Sequence, residues 1–467
     1  MKLHPFFFRQ NRENNKIFIS NQLGAWSFLQ DEADLHTLIA APSESSEIDR
    51  LQAKGFICGN DSRDLYERAA ESKITHRFTR LRDKPSLIMV VPTLRCDHNC
   101  RYCQVSRAPL SSRVHDIQVS PQVVAKFIAS AAAQKFKLEV QGGESLLALD
   151  FIYSLVSSLN KLQEKSFEVV LCTALGPAID DTFTEWCREE NVHLSVSFDG
   201  FLDLHSKFRI HSKKGDSATR FLEQRRKLED AGLSENISYV ATLTKEALER
   251  GPRAYIDSCL SVGIKRIYSR ELSEYGFASI TKSDLGYTLG HYINFMGLYL
   301  DELIAMYNNG EDFFDYTFSL YLTKLFSPDA SSHMDTMSPA GYATSGFLLN
   351  YDGRVFGSDE ARMLYESTKN ERLTIGRLTN TEFKLEEDTF HRRLLAESFL
   401  ETSSICSTCA YLPFCGLDPI ATLNQQGDLT GFKKELSQCQ LTIGMLDLIT
   451  DRFESGKLTQ EMVSSWT

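Results

Sequence analysis

The stretch Cys96-Asp97-His98-Asn99-Cys100-Arg101-Tyr102-Cys103 carries three cysteines at spacings C-x3-C-x2-C, directly after the apolar run Leu87-Ile88-Met89-Val90-Val91. In a chain with 11 cysteines among 467 residues, chance supplies such a triplet in only ~1 sequence in 100 of like composition. The spacing is too tight for three separate structural roles. It suits three thiolates converging on one inorganic centre from a loop that follows a strand. Zinc with a fourth ligand and a [4Fe–4S] cluster with one open iron both satisfy this chemistry. His98 is the nearest fourth ligand, but it sits between two cysteines of one tight loop, where its ring has difficulty reaching the same tetrahedron. An open iron requires no fourth protein ligand. Tyr102, just before the third cysteine, suits a ring stacked beside a bound cofactor.

Outward from the triplet, Pro85 to Ser273 alternates short apolar runs with helical patterns. The predicted strands are Ser86–Val91, Lys137–Gln141, Glu168–Thr173, Leu194–Phe198, Ile237–Leu243 and Lys265–Ser269, and helices are predicted over Gln122–Gln134, Phe151–Lys161, Asp180–Glu190, Thr219–Ala231 and Arg253–Val262. Six β/α units in series imply a parallel sheet with helices outside, and periodicity leaves an open sheet and a partial barrel both standing. Such folds place chemistry at the C-terminal ends of their strands, where the triplet lies.

Four segments are expected along the chain, at 1–80, 85–310, 311–345 and 346–467. The first holds a predicted hairpin, Lys16–Ser20 with Ala25–Leu29, then a helix capped by Asp31 and a second helix over Ser46–Lys54 stopped by Gly55, a winged-helix pattern. Asp61–Lys84 reads as a charged helical or extended linker. Gly290–Tyr307 is amphipathic, aromatic Tyr316–Leu325 reads as core, and Ser327–Ser345 reads as a loop able to cover a site. A second hairpin is expected over Phe347–Phe356, turning at Asp352-Gly353. Beyond it stand Cys406, Cys409, Cys415 and Cys439, followed by an amphipathic helix. Cys58, Cys172, Cys187 and Cys259 lie in apolar or helical contexts and read as buried small side chains.

The length implies two or three domains. The formal net charge of −11 and the lack of a basic stripe argue against a nucleic-acid partner. No apolar run is long enough to span a membrane and the start has no signal-peptide core, so the expected compartment is the cytoplasm, where clustered thiols bind metal rather than pair.

Taken together, Cys96-x3-Cys100-x2-Cys103 after a first strand resembles the signature of the radical S-adenosylmethionine (SAM) superfamily. Gln141-Gly142-Gly143-Glu144, straight after the second strand, resembles the family's Gly-Gly-Glu motif that holds the methionine amino group. Glycines allow close backbone approach, and the Glu144 carboxylate suits an ammonium. Ser197-Phe198-Asp199-Gly200 resembles the Ser-x-Asp-Gly of peptide-modifying members, and Arg209 the arginine of their His-Asp-x-x-Arg segment. By that resemblance Ser197 and Arg209 touch SAM, the guanidinium taking its carboxylate, and Arg270 and Leu272 line the adenosine site. The implied fold is a partial (β/α)6 TIM-type barrel.

The C-terminal cysteines resemble the SPASM extension of peptide-modifying members, which carries seven cysteines for two auxiliary clusters. Here Arg354–Asp359 has no cysteine, Thr381 stands where Gly-x4-Cys would place one after Gly376, and Pro419 replaces another. All the missing residues belong to one cluster. The resemblance therefore implies two [4Fe–4S] clusters, one binding SAM on Cys96, Cys100 and Cys103, and one auxiliary on Cys406, Cys409, Cys415 and Cys439. Asp359 aligns with a carboxylate that acts as a base in some sulfatase-maturing relatives. The stretch Pro92–Arg107 is similar to the HxsB subgroup of His-Xaa-Ser system maturases. The implied activity is SAM cleavage to a 5′-deoxyadenosyl radical that modifies, by favoured outcome cross-links, a ribosomally made precursor peptide. Its leader would dock on the N-terminal module, a flavodoxin or ferredoxin would supply electrons, and a second radical SAM maturase would be a paired partner. A sulfatase-type oxidase, a zinc-binding protein and a silent scaffold are the competing readings.

Overall fold

The computed structural model describes residues 2–10, 16–59, 63–79, 81, 83–162, 165–212, 215–327, 337–385 and 388–467. Part of the predicted loop at Ser327–Ser345, residues 328–336, lies outside the described residues. The chain forms two compact units that are not contiguous in sequence. One joins Met1–Asp83, Ser319–Gly341 and Arg393–Thr467; the other joins Lys84–Phe318 and Tyr342–Arg392.

The larger unit is built on the strands Leu87–Thr93, Lys135–Gly142, Ser166–Thr173, His193–Ser197, Ile237–Thr242 and Arg266–Arg270, each within two residues of its predicted run. They lie side by side in sequence order, all parallel. The intervening helices begin where capping chemistry puts them. Ser120 accepts from the Val123 amide with Pro121 in the first turn, Asp180 accepts from Phe183 and Asp216 from Thr219. Leu138, Val140, Val169, Leu171, Leu194 and Val196 are buried on one face of the sheet. With period two, Glu139, Cys172, Ser195 and Ser197 occupy the other face and stay half-buried. Crossover helices cover the aliphatic face, so the polar set looks into the partial barrel.

The sheet continues beyond the six units. Phe314–Asp315 pairs parallel with Arg266–Ile267, and Gly346–Leu349 pairs parallel with Leu87–Val90. The predicted hairpin is present, with Leu348 opposite Phe356, and Gly353 takes a φ of 81° at its turn. It adds Arg354–Phe356, Thr374–Leu378 and Phe383–Leu385 to the barrel sheet, which totals eleven strands. The sheet and its helices match the partial-barrel architecture expected from the sequence.

In the smaller unit, Phe6–Gln10, Ile17–Asn21 and Trp26–Leu29 form an antiparallel sheet with Ile17 opposite Leu29. The Asn21 side chain accepts from the Leu23 and Ala25 amides, closing the hairpin as an Asx-type turn. Helix Glu32–Ala40 starts on Asp31, whose carboxylate accepts from the Asp34 amide at 3.0 Å. Helix Ile48–Ala53 ends before Gly55 at φ 73°. Most of the charged stretch after it is helix, Arg63–Thr79. Ile17, Ile19, Leu29, Leu38, Leu51 and Phe56 form the core of this module.

Its outer strand face also packs within the same unit against the C-terminal cysteine segment. Phe18 stacks on Tyr411 with ring centroids 4.9 Å apart, Ser20 donates to the Ala410 carbonyl, and Arg9 pairs with Asp447 at 3.0 Å. Trp26 meets Phe326 and Phe453 edge-on at 5.7 and 5.6 Å. Among the described residues no helix is long and apolar enough to cross a membrane.

Candidate functional site

The cysteine loop is held by backbone pairing on both sides. The Cys96 amide donates to Ala108 at 3.0 Å, Asn99 to Ile210 at 2.6 Å, Arg101 to Phe208 at 3.0 Å, and Ser212 returns a bond to Asp97 at 2.6 Å. Asp97 reinforces this by taking His98 Nδ1 at 2.8 Å and His211 Nε2 at 3.4 Å. Ligand atoms of Cys96, Asp97 and His98 lie within 4.8 Å of one another. Yet His98 spends both ring nitrogens elsewhere, the second on Ser217 Oγ at 3.3 Å, so it is a clamp on the loop rather than a fourth ligand to the thiols.

Burial, reinforced by Cys100 and Glu144, pushes the Cys96 thiol well up. Burial also pushes Cys100 up to about 12, opposed by the guanidinium groups of Arg209 and Arg107, with Cys103 adjacent. Three adjoining thiols faced by two cations are a donor set suited to an anionic thiolate cluster. Arg107 is a residue that sequence reasoning did not single out. Four positions beyond Cys103, it carries no motif of its own.

The Gly142-Gly143-Glu144 turn lies directly against this loop. Gly143 and Glu144 donate their amides to the carbonyls of Thr93 and Arg95 at 3.0 and 2.9 Å. Gly142 has φ 127°, and a Cβ on Gly143 would stand 2.2 Å from Arg95 O and 2.4 Å from Leu94 O. The close backbone approach that the glycines permit is therefore to the cysteine loop itself. Gly143→Ala is expected to push the two loops apart, lowering Tm and cutting cluster loading at least tenfold, because backbone atoms cannot rotate away as a side chain would. Iron analysis beside a Gly232→Ala control, where nothing lies within 4 Å, checks this.

The Glu144 carboxylate is buried and accepts from Thr173 Oγ1 at 2.6 Å, the Ala174 amide at 3.0 Å and the Leu146 amide at 3.1 Å. Burial, with the Asp97 charge next, pushes it up to about 7. An incoming ammonium would favour its ionised form.

Ser197 ends the fourth strand, its neighbour Asp199 is 3% exposed, and Arg209 follows the short helix Leu202–Phe208. Arg209 Nε and Nη2 reach Asp199 at 3.0 and 3.1 Å, Tyr102 donates its hydroxyl to the same carboxylate, and the guanidinium stands over the Tyr102 ring at 5.3 Å. Burial works against the Arg209 charge, but Asp199 outweighs it and holds the group ionised. Tyr102 thus belongs to a buried network linking the cysteine loop to the fourth strand.

Arg270 ends the sixth strand and donates to Gln104 Oε1 at 2.8 Å, beside the loop. Leu272 is buried, its amide held by the Tyr287 hydroxyl at 2.9 Å. Asp359 opens helix Asp359–Thr368 and pairs with Arg362 at 3.1 Å; Arg362 in turn reaches the Val105 carbonyl at 3.1 Å, just past Cys103. Cys172 corrects the reading of the leftover cysteines. Cys58, Cys187 and Cys259 are buried, but Cys172 faces the barrel interior, 3.8 Å from Glu139 Oε1, with Asp359 among its charged neighbours. A polar run at every second position of the strands was the signal for that face.

In the other unit, Cys406, Cys415 and Cys439 are buried in one cluster with Leu400, Leu412, Leu417 and Leu436. Cys409 adjoins them electrostatically, and burial pushes the thiols of Cys415 and Cys439 up, to about 11 for Cys439. Arg9, Lys434 and Lys324 are the cations facing the set. Four converging thiols faced by cations fit a closed four-thiolate centre.

Residues 90–250 match the model of the Radical SAM superfamily. The chain carries a radical SAM domain. Among proteins of known activity, it is similar to a cysteine-type anaerobic sulfatase-maturating enzyme of Clostridium novyi (strain NT), 20% identical over 143 residues. That match covers 29% of this chain and 38% of the enzyme, so it spans well under half of the relative's length. Among solved structures, anSMEcpe with bound AdoMet has a TM-score of 0.63 at 16% identity, covering 79% of this chain and 99% of that one. Streptococcus suis SuiB bound to its precursor peptide SuiA has a TM-score of 0.53 at 15% identity, covering 93% and 98%. At such identities the likeness shows a shared fold.

Proposed function

We propose that this protein is a radical SAM enzyme that modifies, by cross-linking, residues of a ribosomally made precursor peptide. The observation that carries the reading is the convergence of Cys96, Cys100 and Cys103 with Glu144, Asp199 and Arg209 at successive strand ends. When bound, the open cluster and SAM supply a 5′-deoxyadenosyl radical that takes a hydrogen atom from the substrate. The chain's residues position these groups. The SAM ammonium would meet Glu144, its carboxylate Ser197 and the Nη1 atom of Arg209 that Asp199 leaves free, and its adenosine the wall near Arg270 and Leu272. Asp359, fixed by Arg362, is placed to accept a proton from the substrate. The four C-terminal cysteines would close an auxiliary cluster that passes on the surplus electron.

A peptide substrate is supported by SuiB, solved with SuiA, and by anSMEcpe, solved with the Cp18Cys peptide. The leader would add a strand to the sheet edge at Phe6–Gln10, where Phe8 is 52% exposed. The resemblance to HxsB-type maturases adds a paired maturase as partner, and oxygen-sensitive chemistry with a flavodoxin or ferredoxin donor belongs in the reducing cytoplasm. The similarity to sulfatase-maturating enzymes supports a second reading, a formylglycine-forming oxidase; the missing auxiliary cysteines count against it. Mass spectrometry of a His-Xaa-Ser repeat precursor co-expressed with this chain decides between them. Loss of two hydrogens with a linkage between residues is expected, and an unchanged precursor beside an oxidised sulfatase peptide would reverse the choice.

A further inference from the structure

Lys324 lies near the end of helix Tyr316–Phe326, in the run Tyr316-Thr317-Phe318-Ser319-Leu320-Tyr321-Leu322-Thr323-Lys324-Leu325-Phe326. A surface lysine in such an apolar run would extend to water. This one is 4% exposed, and among the described residues it makes no ion pair or hydrogen bond. The helix end is anchored beside the auxiliary cysteines. Phe326 packs on Trp26 at 5.7 Å and on Phe453 at 4.9 Å, and Phe453 belongs to helix Ser437–Glu454, whose first turn carries Cys439. Burial pulls the ammonium down to about 8, and the one charged group pulling it back is Cys415. The relation is reciprocal, since Lys324 is the cation that most opposes the rise at Cys415.

A lone ammonium buried in apolar surroundings costs several kcal/mol unless an opposite charge repays it. Asp and Glu are absent from its partners, and thiols in their neutral form offer little. Four thiolates around an iron–sulfur core carry net negative charge, and one-electron reduction adds more. We infer that Lys324 is the internal counter-charge of the auxiliary cluster and raises its reduction potential, so that the cluster accepts an electron from a reduced neighbour. The inference rests on Cys406, Cys409, Cys415 and Cys439 holding that cluster. Arg9 and Lys434 also face the set, but Arg9 is shared with Asp447 and both sit nearer solvent, where screening weakens them.

The test is an EPR-monitored redox titration of the reconstituted full chain in a Cys100→Ala background, which leaves the auxiliary cluster alone to titrate. Lys324→Met is expected to lower the midpoint by at least 59 mV, a tenfold change in the one-electron equilibrium, while Lys324→Arg stays close to the parent. Loss of the cluster from Lys324→Met with retention in Lys324→Arg also supports the inference, because the charge is then needed for assembly. An unchanged potential in Lys324→Met, or cluster loss from both variants, overturns it and leaves Lys324 a packing residue. A parent that binds no iron in this background refutes instead the four-cysteine assignment.

Discussion

Cys100→Ala is expected to abolish 5′-deoxyadenosine formation and to lower bound iron from about 8 atoms per chain to about 4. The loss should be total because Cys100 stands at the centre of the site, next to Cys103, Arg107, Arg209 and Asp199. Two remaining thiolates cannot retain the cluster that leaves an iron open to SAM. The auxiliary centre lies in the other compact unit, so its iron should stay and the protein should remain coloured. Iron analysis with anaerobic product chromatography reads both numbers. Residual 5′-deoxyadenosine in the variant would remove Cys100 from the ligand set, and about 12 iron atoms in the parent would restore the auxiliary site judged missing.

Asp199→Asn is expected to cost the larger unit about 3–5 kcal/mol, the range for removing one partner of a buried ion pair. The carboxylate serves three donors, Tyr102 and two nitrogens of Arg209. A neutral amide offers one acceptor oxygen in place of two charged ones, and it leaves the guanidinium uncompensated at 9% exposure. Affinity for SAM should fall with stability, since Asp199 fixes how Arg209 is aimed. Asp203→Asn is the fitting control. Its partner Arg250 is as close, at 2.5 Å, but Asp203 is 65% exposed, and surface pairs contribute about 0–1 kcal/mol. Denaturant unfolding of both variants checks the contrast, and equal losses would show that burial is not what gives the Asp199 pair its weight.

The barrel strands were legible because each is a short apolar run between capped helices, and local pattern decides both. The triplet at Cys96–Cys103 and the turn at Gly142-Gly143-Glu144 were legible for a related reason: their chemistry needs particular residues at fixed local spacing. Phe6–Gln10 and the pair Lys2–Leu3 with Ile57–Cys58 were not read, since a short strand without an adjacent hairpin partner leaves little periodicity. The inward direction of Cys172 was likewise missed, because composition near a strand does not say which of its two faces a side chain takes.

The order of residues by itself determined which local elements form and which side chains are able to bind an iron–sulfur centre and SAM. Only the tertiary structure decided that Gly143 is required by the cysteine loop's own backbone, and that Tyr102, Asp199 and Arg209 share one buried charge. It also grouped residues more than 300 positions apart, setting Phe18 on Tyr411 and Lys324 beside Cys415. Such contacts depend on how faces of distant elements are buried together, and burial is a property of the packed chain that no local spacing encodes. The triplet that begins the radical chemistry could thus be named from eight residues, whereas the network that holds it in place needed the whole barrel.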